Sequence, residues 1–151
     1  MKATAAPVPP DGFARHPTPD GGLADRLGPL YSGRVEGRLR FAFHCDEGHS
    51  NAMGGVHGGL LMTFADQVLG LTVQDVLGHN RVATVSLNCD FVRGVRPGCW
   101  VEGEARVTRV TRDLVFVEGT IDQGGATVLT ASGLWYRRSD AGARKHAEDR
   151  S

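Results

Sequence analysis

The amino-acid sequence predicts an α+β domain, with one buried helix and an antiparallel sheet wrapped around it. Three observations carry this. Alternation of apolar and polar residues with period 2 recurs along most of the chain, the pattern of strands with one buried face. A single segment, about 58–77, departs to the helical period and is apolar on several sides, as a buried helix is. Glycine is the compositional outlier, with 21 residues in 151 where an average chain carries about 7%. There is no Gly-X-Y period, and glycines inside strands suit a sheet that must bend.

A chain of 151 residues fits one domain. Residues 1–22 hold Pro7, Pro9, Pro10, Pro17 and Pro19 with few large apolar side chains, and read as a mobile or loosely docked arm. In the next segment Val35, Gly37, Leu39, Phe41 and Phe43 alternate with Arg34, Glu36, Arg38, Arg40 and Ala42, which reads as one strand. Leu60, Leu61, Phe64, Val68 and Leu71 then follow i, i+3/i+4, i+7 spacing, and Gly78 is a stop signal, so the helix is expected at about 58–77. Ala83, Val85, Leu87, Cys89 and Phe91 alternate with Thr84, Ser86, Asn88 and Asp90, which puts Thr84 on the polar face of its strand. Trp100–Val110, Leu114–Asp122 and Thr127–Arg138 form a meander, with turns at Arg96-Pro97-Gly98, Thr111-Arg112-Asp113 and Gln123-Gly124-Gly125. The expectation is five to six strands, a domain at 23–138 and a polar tail at 139–151.

Composition narrows the function classes. Seventeen basic residues balance seventeen acidic ones, which argues against general binding to nucleic acid or an anionic membrane. Of the basic residues only Lys2 and Lys145 are lysines, and arginine is the better fork for phosphate. Cys45, Cys89 and Cys99 lack the paired spacing of a disulfide framework. With no run of 18 apolar residues and no leader pattern, the expected setting is cytoplasmic. His44, Cys45, His49 and His57 show no zinc-ligand spacing, and nucleophile-elbow, Walker and dinucleotide motifs are absent from the sequence, so neither metal nor cofactor is expected.

The informative stretch runs from Asn51 to Asp66. Gly58 and Gly59 fall where the helix begins. The first N–H groups of a helix lack intrahelical partners, and the macrodipole adds about half a positive charge there. Glycine lets a ligand approach that backbone, so the terminus can hold an anion or a developing oxyanion; tight packing at the helix entry would ask for the same residues. Asp66 lies about 180° around the helix from Leu60, Phe64 and Val68, among Met62, Leu69 and Val73, with no basic residue three or four positions away. A carboxylate in apolar surroundings is costly without a partner, and such places hold general bases and nucleophiles. The alternative is that this face meets solvent or an interfacial pocket. His57 reads either as a base or ligand, or as a structural hydrogen-bonder ahead of the helix.

Asn51, His57-Gly58-Gly59 and Asp66, followed by the strand Thr84-Val-Ser-Leu-Asn88, resemble the hotdog-fold acyl-CoA thioesterases, specifically the PaaI-like group with its H-G-G signature. The resemblance covers about 28–137. It implies a long helix wrapped by an antiparallel sheet, and hydrolysis of an acyl-CoA to free acid and CoA. It implies that the Gly58 N–H polarises the thioester carbonyl, that Asp66 activates water or attacks directly, that Asn51 helps hold the carbonyl or water, and that Thr84 positions the water. His57 stands at the signature histidine, and Gly59, Met62 and Phe64 are carried as substrate-binding positions. The resemblance implies a site shared across the interface of a homodimer or of a homotetramer built as a dimer of dimers, CoA being part of the substrate. Two departures are Ser86, where several relatives carry an acid, and Arg93-Gly94 in place of an apolar-Pro pair. Arg93, Arg96, Arg112, Arg137 and Arg138 are candidates for the CoA phosphates, and Phe41, Phe43, Phe64, Leu61 and Met62 line an acyl tunnel or fill the core. A non-catalytic acyl-CoA-binding domain and an acyl-CoA dehydratase are the other readings of the same fold.

Overall fold

The computed structural model describes residues 7–18 and 22–138; the tail expected at 139–151, and residues 1–6 and 19–21 of the arm, lie outside the described residues. Seven strands form one antiparallel sheet: β1 (Ala14–Arg15), β2 (Leu30–Val35), β3 (Arg38–Cys45), β4 (Val82–Phe91), β5 (Cys99–Val110), β6 (Leu114–Gln123) and β7 (Ala126–Arg137). Their order is β1-β2-β3-β5-β6-β7-β4. A short helix, α1 (Leu23–Leu27), precedes β2, and the 20-residue α2 (Gly58–Leu77) lies across one face of the sheet, touching β3 through β7.

The helix begins and ends as its period and Gly78 predict. Gly78 takes the left-handed conformation (φ 70°) and its N–H closes on Gln74 O at 2.9 Å, a glycine C-cap. Leu61, Phe64, Ala65, Val68, Leu69 and Val73 are buried from more than one side of the helix. By length and composition α2 would also suit a membrane span, but half of it is buried against the sheet and it serves here as a core helix. The strands admit it through glycine. A Cβ on Gly103 would stand 2.7 Å from Val68 Cγ2, and one on Gly119 would stand 2.5 Å from Glu104 O and 3.0 Å from Leu69 Cδ1. Because the obstacle at Gly119 is backbone, Gly119→Ala is expected to destabilise the fold by about 1–3 kcal/mol, read as a lower urea midpoint.

Two sequence expectations change. The strand read through 34–43 is a hairpin, which with β1 raises the strand count to seven. Glu36 and Gly37 form its two-residue turn with φ of 51° and 79°, and Val35 pairs with Arg38. Both positions are left-handed, as a type I′ turn requires, but Glu-Gly is not the Asn-Gly signal of such turns. The turn inverts the phase: Arg34 pairs with Leu39 on the inner face and Val35 with Arg38 on the outer. The second change is a β-bulge in β4. Thr84 pairs with Trp135, and Ser86 with the very next residue, Leu134, so Val85 is the extra residue. Thr84 therefore shares the helix-facing side with Leu87 and Cys89, not the polar face with Asn88 and Asp90.

β4 ends the sheet. Its outer edge has no neighbour among the described residues, and Val85, Phe91 and the following Val92 are 57%, 51% and 62% exposed. At the opposite end the arm is docked: Ala14 pairs with Ser32 and Arg15 with Tyr31. Cys45 and Cys99 are cross-strand neighbours with free thiols. Burial, helped by the Asp46 charge, pushes the Cys45 thiol up to about 12, so it stays protonated and unreactive.

Candidate active site

The loop from Asp46 to Gly58 is held by its own side chains. The Asp46 carboxylate accepts from Gly48 N at 2.8 Å, and the Asp46 N–H donates to His49 Nδ1 at 2.9 Å. Asn51 Oδ1 accepts from Met53 N (2.8 Å) and Gly55 N (3.3 Å), which commits its carbonyl to the loop and leaves its Nδ2 amide as the free end. Val56 N donates to Val95 O at 2.9 Å, tying the loop to the segment after β4, and His57 N donates to His49 O at 2.9 Å within the loop.

His57 is the N-cap of α2. Its Nδ1 accepts from Gly59 N at 2.9 Å, and its carbonyl takes the N–H groups of Leu60 (3.0 Å) and Leu61 (3.4 Å). With Nδ1 accepting from Gly59 N, the His57 ring is committed to the helix start through that nitrogen. Of the first four helix N–H groups, three are thus satisfied, and Gly58 N–H has no hydrogen-bond partner among the described residues. The Phe91 ring stands over Gly58, 3.2 Å from where a Cβ would lie. Gly58, Leu61, Phe91, Arg93 and Val95 are among the residues around an open cavity of about 380 Å³.

Two turns further along α2, Asp66 is half-buried and its Oδ1 accepts from Thr84 Oγ1 at 2.8 Å. The bulge at Val85 is what turns Thr84 toward the helix. Asp66 and Thr84 open on a second cavity, of about 330 Å³, with Gln67, Gly70, Val82 and Trp135 around it. No cation pairs with Asp66 among the described residues. Cys89 lies close by: burial raises its thiol, with the negative charges of Asp90 and Asp66 adding to the effect.

The structure therefore joins Asp66 to Thr84, and Gly58 to the His57 cap and the Asn51 loop, but keeps the two groups apart. Asp66 lies eight positions along the helix from Gly58, about 12 Å along the axis. Gly59 has its N–H capped by His57, Met62 is 38% exposed, and Phe64 is a core residue, 2% exposed and 6.0 Å from the Phe43 ring. Of the arginines considered for phosphate, Arg93 lines the Gly58 cavity, whereas Arg112 lies 4.0 Å from Asp113. His16, Pro17 and Thr18, which border the Asp66 cavity, carry no sequence signal; Gln67 and Gln74, polar positions in an apolar helix, are the one cue that was there to read. A cavity of about 410 Å³ on the outer face of the sheet has its Arg38 and Arg106 paired with Glu104 and Glu118.

One long helix wrapped by an antiparallel sheet is the architecture of a class: the hotdog-fold thioesterases. Comparison with known proteins agrees. The thioesterase superfamily profile matches residues 53–130. A Pseudomonas aeruginosa protein with a provisional esterase name is 34% identical over 116 residues, covering 76% of this chain and 87% of that one. The crystal structure of a provisionally assigned thioesterase from Ralstonia eutropha, a phenylacetic acid degradation-related protein, superposes with a TM-score of 0.69 at 29% identity, covering 79% of this chain and 92% of the other. A Bacillus halodurans protein crystallised with CoA superposes with a TM-score of 0.68 at 25% identity, covering 78% of this chain and 79% of the other. The chain belongs to the thioesterase superfamily.

Proposed function

We propose that the chain is an acyl-CoA thioesterase whose active site is completed by a second copy. The observation that carries this is the separation on α2: a free amide at Gly58 and an acid at Asp66, about 12 Å apart, each beside its own open cavity. One chain cannot apply both to a single carbonyl. β4 supplies the way to join them. Its first half holds Thr84 against Asp66, and its last residue, Phe91, covers Gly58. Antiparallel pairing of the open β4 edge with a second β4, about the middle of the strand, sets the Thr84 end of one beside the Phe91 end of the other. That pairing also covers Val85, Phe91 and Val92.

In the joined site the thioester oxygen accepts from the Gly58 N–H of one copy. The Asp66 carboxylate of the other takes a proton from water as the water oxygen attacks the carbonyl carbon. The negative charge that develops on the carbonyl oxygen is held by the amide and the helix dipole. Collapse of the tetrahedral intermediate breaks the C–S bond, and the proton on Asp66 passes to the departing CoA sulfur. The products are the free acid and CoA thiol. Thr84 Oγ1 occupies Asp66 Oδ1 and leaves Oδ2 for the water. Arg93, exposed at the rim of the Gly58 cavity, is placed to meet a phosphate of CoA, in keeping with the CoA-bound Bacillus halodurans relative.

Release of free thiol from acetyl-, hexanoyl-, dodecanoyl- and phenylacetyl-CoA, followed with a thiol-reactive dye, tests the reading. Turnover of at least one ester is expected. Binding without release of CoA would turn the assignment to a non-catalytic acyl-CoA-binding protein, and hydration of an enoyl-CoA to a dehydratase.

A further inference from the structure

We propose that the N-terminal arm, through His16-Pro17-Thr18, forms the end wall of the acyl pocket and sets the longest acyl group this chain accepts; the inference rests on the thioesterase reading and deepens it. The cavity beside Asp66 follows one face of α2 through Gly70 to Gln74, about 12 Å of helix. Its floor at Gly70 is the Trp135 indole, whose Nε1 lies 3.2 Å from where a Cβ would stand. Leu30, Leu71, Ala83 and Trp135 make much of the lining apolar, while the Asp66 carboxylate in the same lining repels phosphate. This end therefore suits an acyl chain and not the nucleotide. His16, Pro17 and Thr18 border it next to Leu30 of β2, which also lines it.

The arm is seated there by contacts of its own. His16 N donates to Leu30 O at 2.8 Å, and His16 Nδ1 lies 2.9 Å from Ser32 Oγ. The His16 ring meets the buried Phe41 edge-on at 5.7 Å, and burial lowers the imidazole's proton affinity, which keeps it neutral in this apolar setting. Gly33 makes the approach possible: a Cβ there would stand 2.3 Å from Gly12 O, a backbone atom. Gly12 itself turns the chain with φ 82°. Gly33→Ala thus pushes the arm off β2 without touching Asp66, Thr84 or Gly58.

The test uses two variants, Gly33→Ala and a chain lacking residues 1–18, each checked for folding by circular dichroism. The reading is kcat/KM for dodecanoyl-CoA divided by that for hexanoyl-CoA. Displacing the wall is expected to raise the ratio by about tenfold or more, and a ratio held within about twofold in the folded variants overturns the proposal. If the wild type hydrolyses no ester, the thioesterase reading falls, and the arm is judged by binding of the same two esters, followed through Trp135 fluorescence in a Trp100→Phe background. A shift toward the longer ester in Gly33→Ala upholds the wall; an unchanged preference, or no binding at all, overturns it.

Discussion

Asp66→Asn is expected to lower kcat by about 10²–10⁴-fold while leaving the folded state intact, the loss that follows removal of a general base. Asparagine keeps the size of the side chain and, through Oδ1, the bond from Thr84 Oγ1 at 2.8 Å. It loses only the capacity to take a proton. Asp66 is half-buried and forms no ion pair among the described residues, so an unchanged thermal midpoint should accompany the lost turnover. Unchanged kcat in the folded variant would remove Asp66 from the mechanism. Rapid mixing separates its two possible roles. If Asp66 attacks the thioester itself, a mixed anhydride forms and CoA appears in a burst of about one equivalent per site before steady state. A base that activates water gives no burst.

That acid and the amide at Gly58 were legible in the sequence because residue type and helical period are both local properties. The period and Gly78 bound α2 at Gly58–Leu77, and the spacing of eight residues then follows from the helix itself. The glycines within strands were legible as marks of bending, and Gly103 and Gly119 do lie where α2 meets the sheet. What failed was phase. A two-residue turn at Glu36-Gly37 and one extra residue at Val85 each reverse which side chains face the helix, and neither disturbs the apolar-polar alternation that a sequence displays. The bulge matters for the site, since it alone sets Thr84 on Asp66. For His57 the sequence left a base and a structural hydrogen-bonder ahead of the helix both open, and the direction of Gly59 N is what makes it the cap. For the arm, composition left a mobile and a loosely docked state both open, because its seat on β2 depends on the close approach of the Gly12 backbone to Gly33, which no local pattern displays.

Gly58→Pro should cost about 10²–10³-fold in kcat, the loss typical of deleting one oxyanion donor. Proline removes the N–H and little else. It is favoured at the first position of a helix, where its ring fits the required φ. The preceding residue must be extended, and His57 already is, at φ −64° and ψ 129°. The nearest atom to a side chain at this position is the edge of the Phe91 ring, 3.2 Å from where a Cβ would stand, and not backbone. The His57 cap on Gly59 N is untouched, so stability should hold. Joined with Asp66→Asn, this variant tests the shared site by arithmetic. Suppose the two inactive chains are unfolded together and refolded as a mixture. Half the dimers formed at random are then mixed, and each mixed dimer has one site built from the intact Gly58 of one chain and the intact Asp66 of the other. About a quarter of wild-type activity should return, since independent subunits re-sort by mass action. If each site lay within one chain, mixing would restore nothing, because every site would carry one of the two lesions whole. The size of the recovery thus reports the architecture of the site directly, and it does so without any knowledge of which acyl group the enzyme prefers.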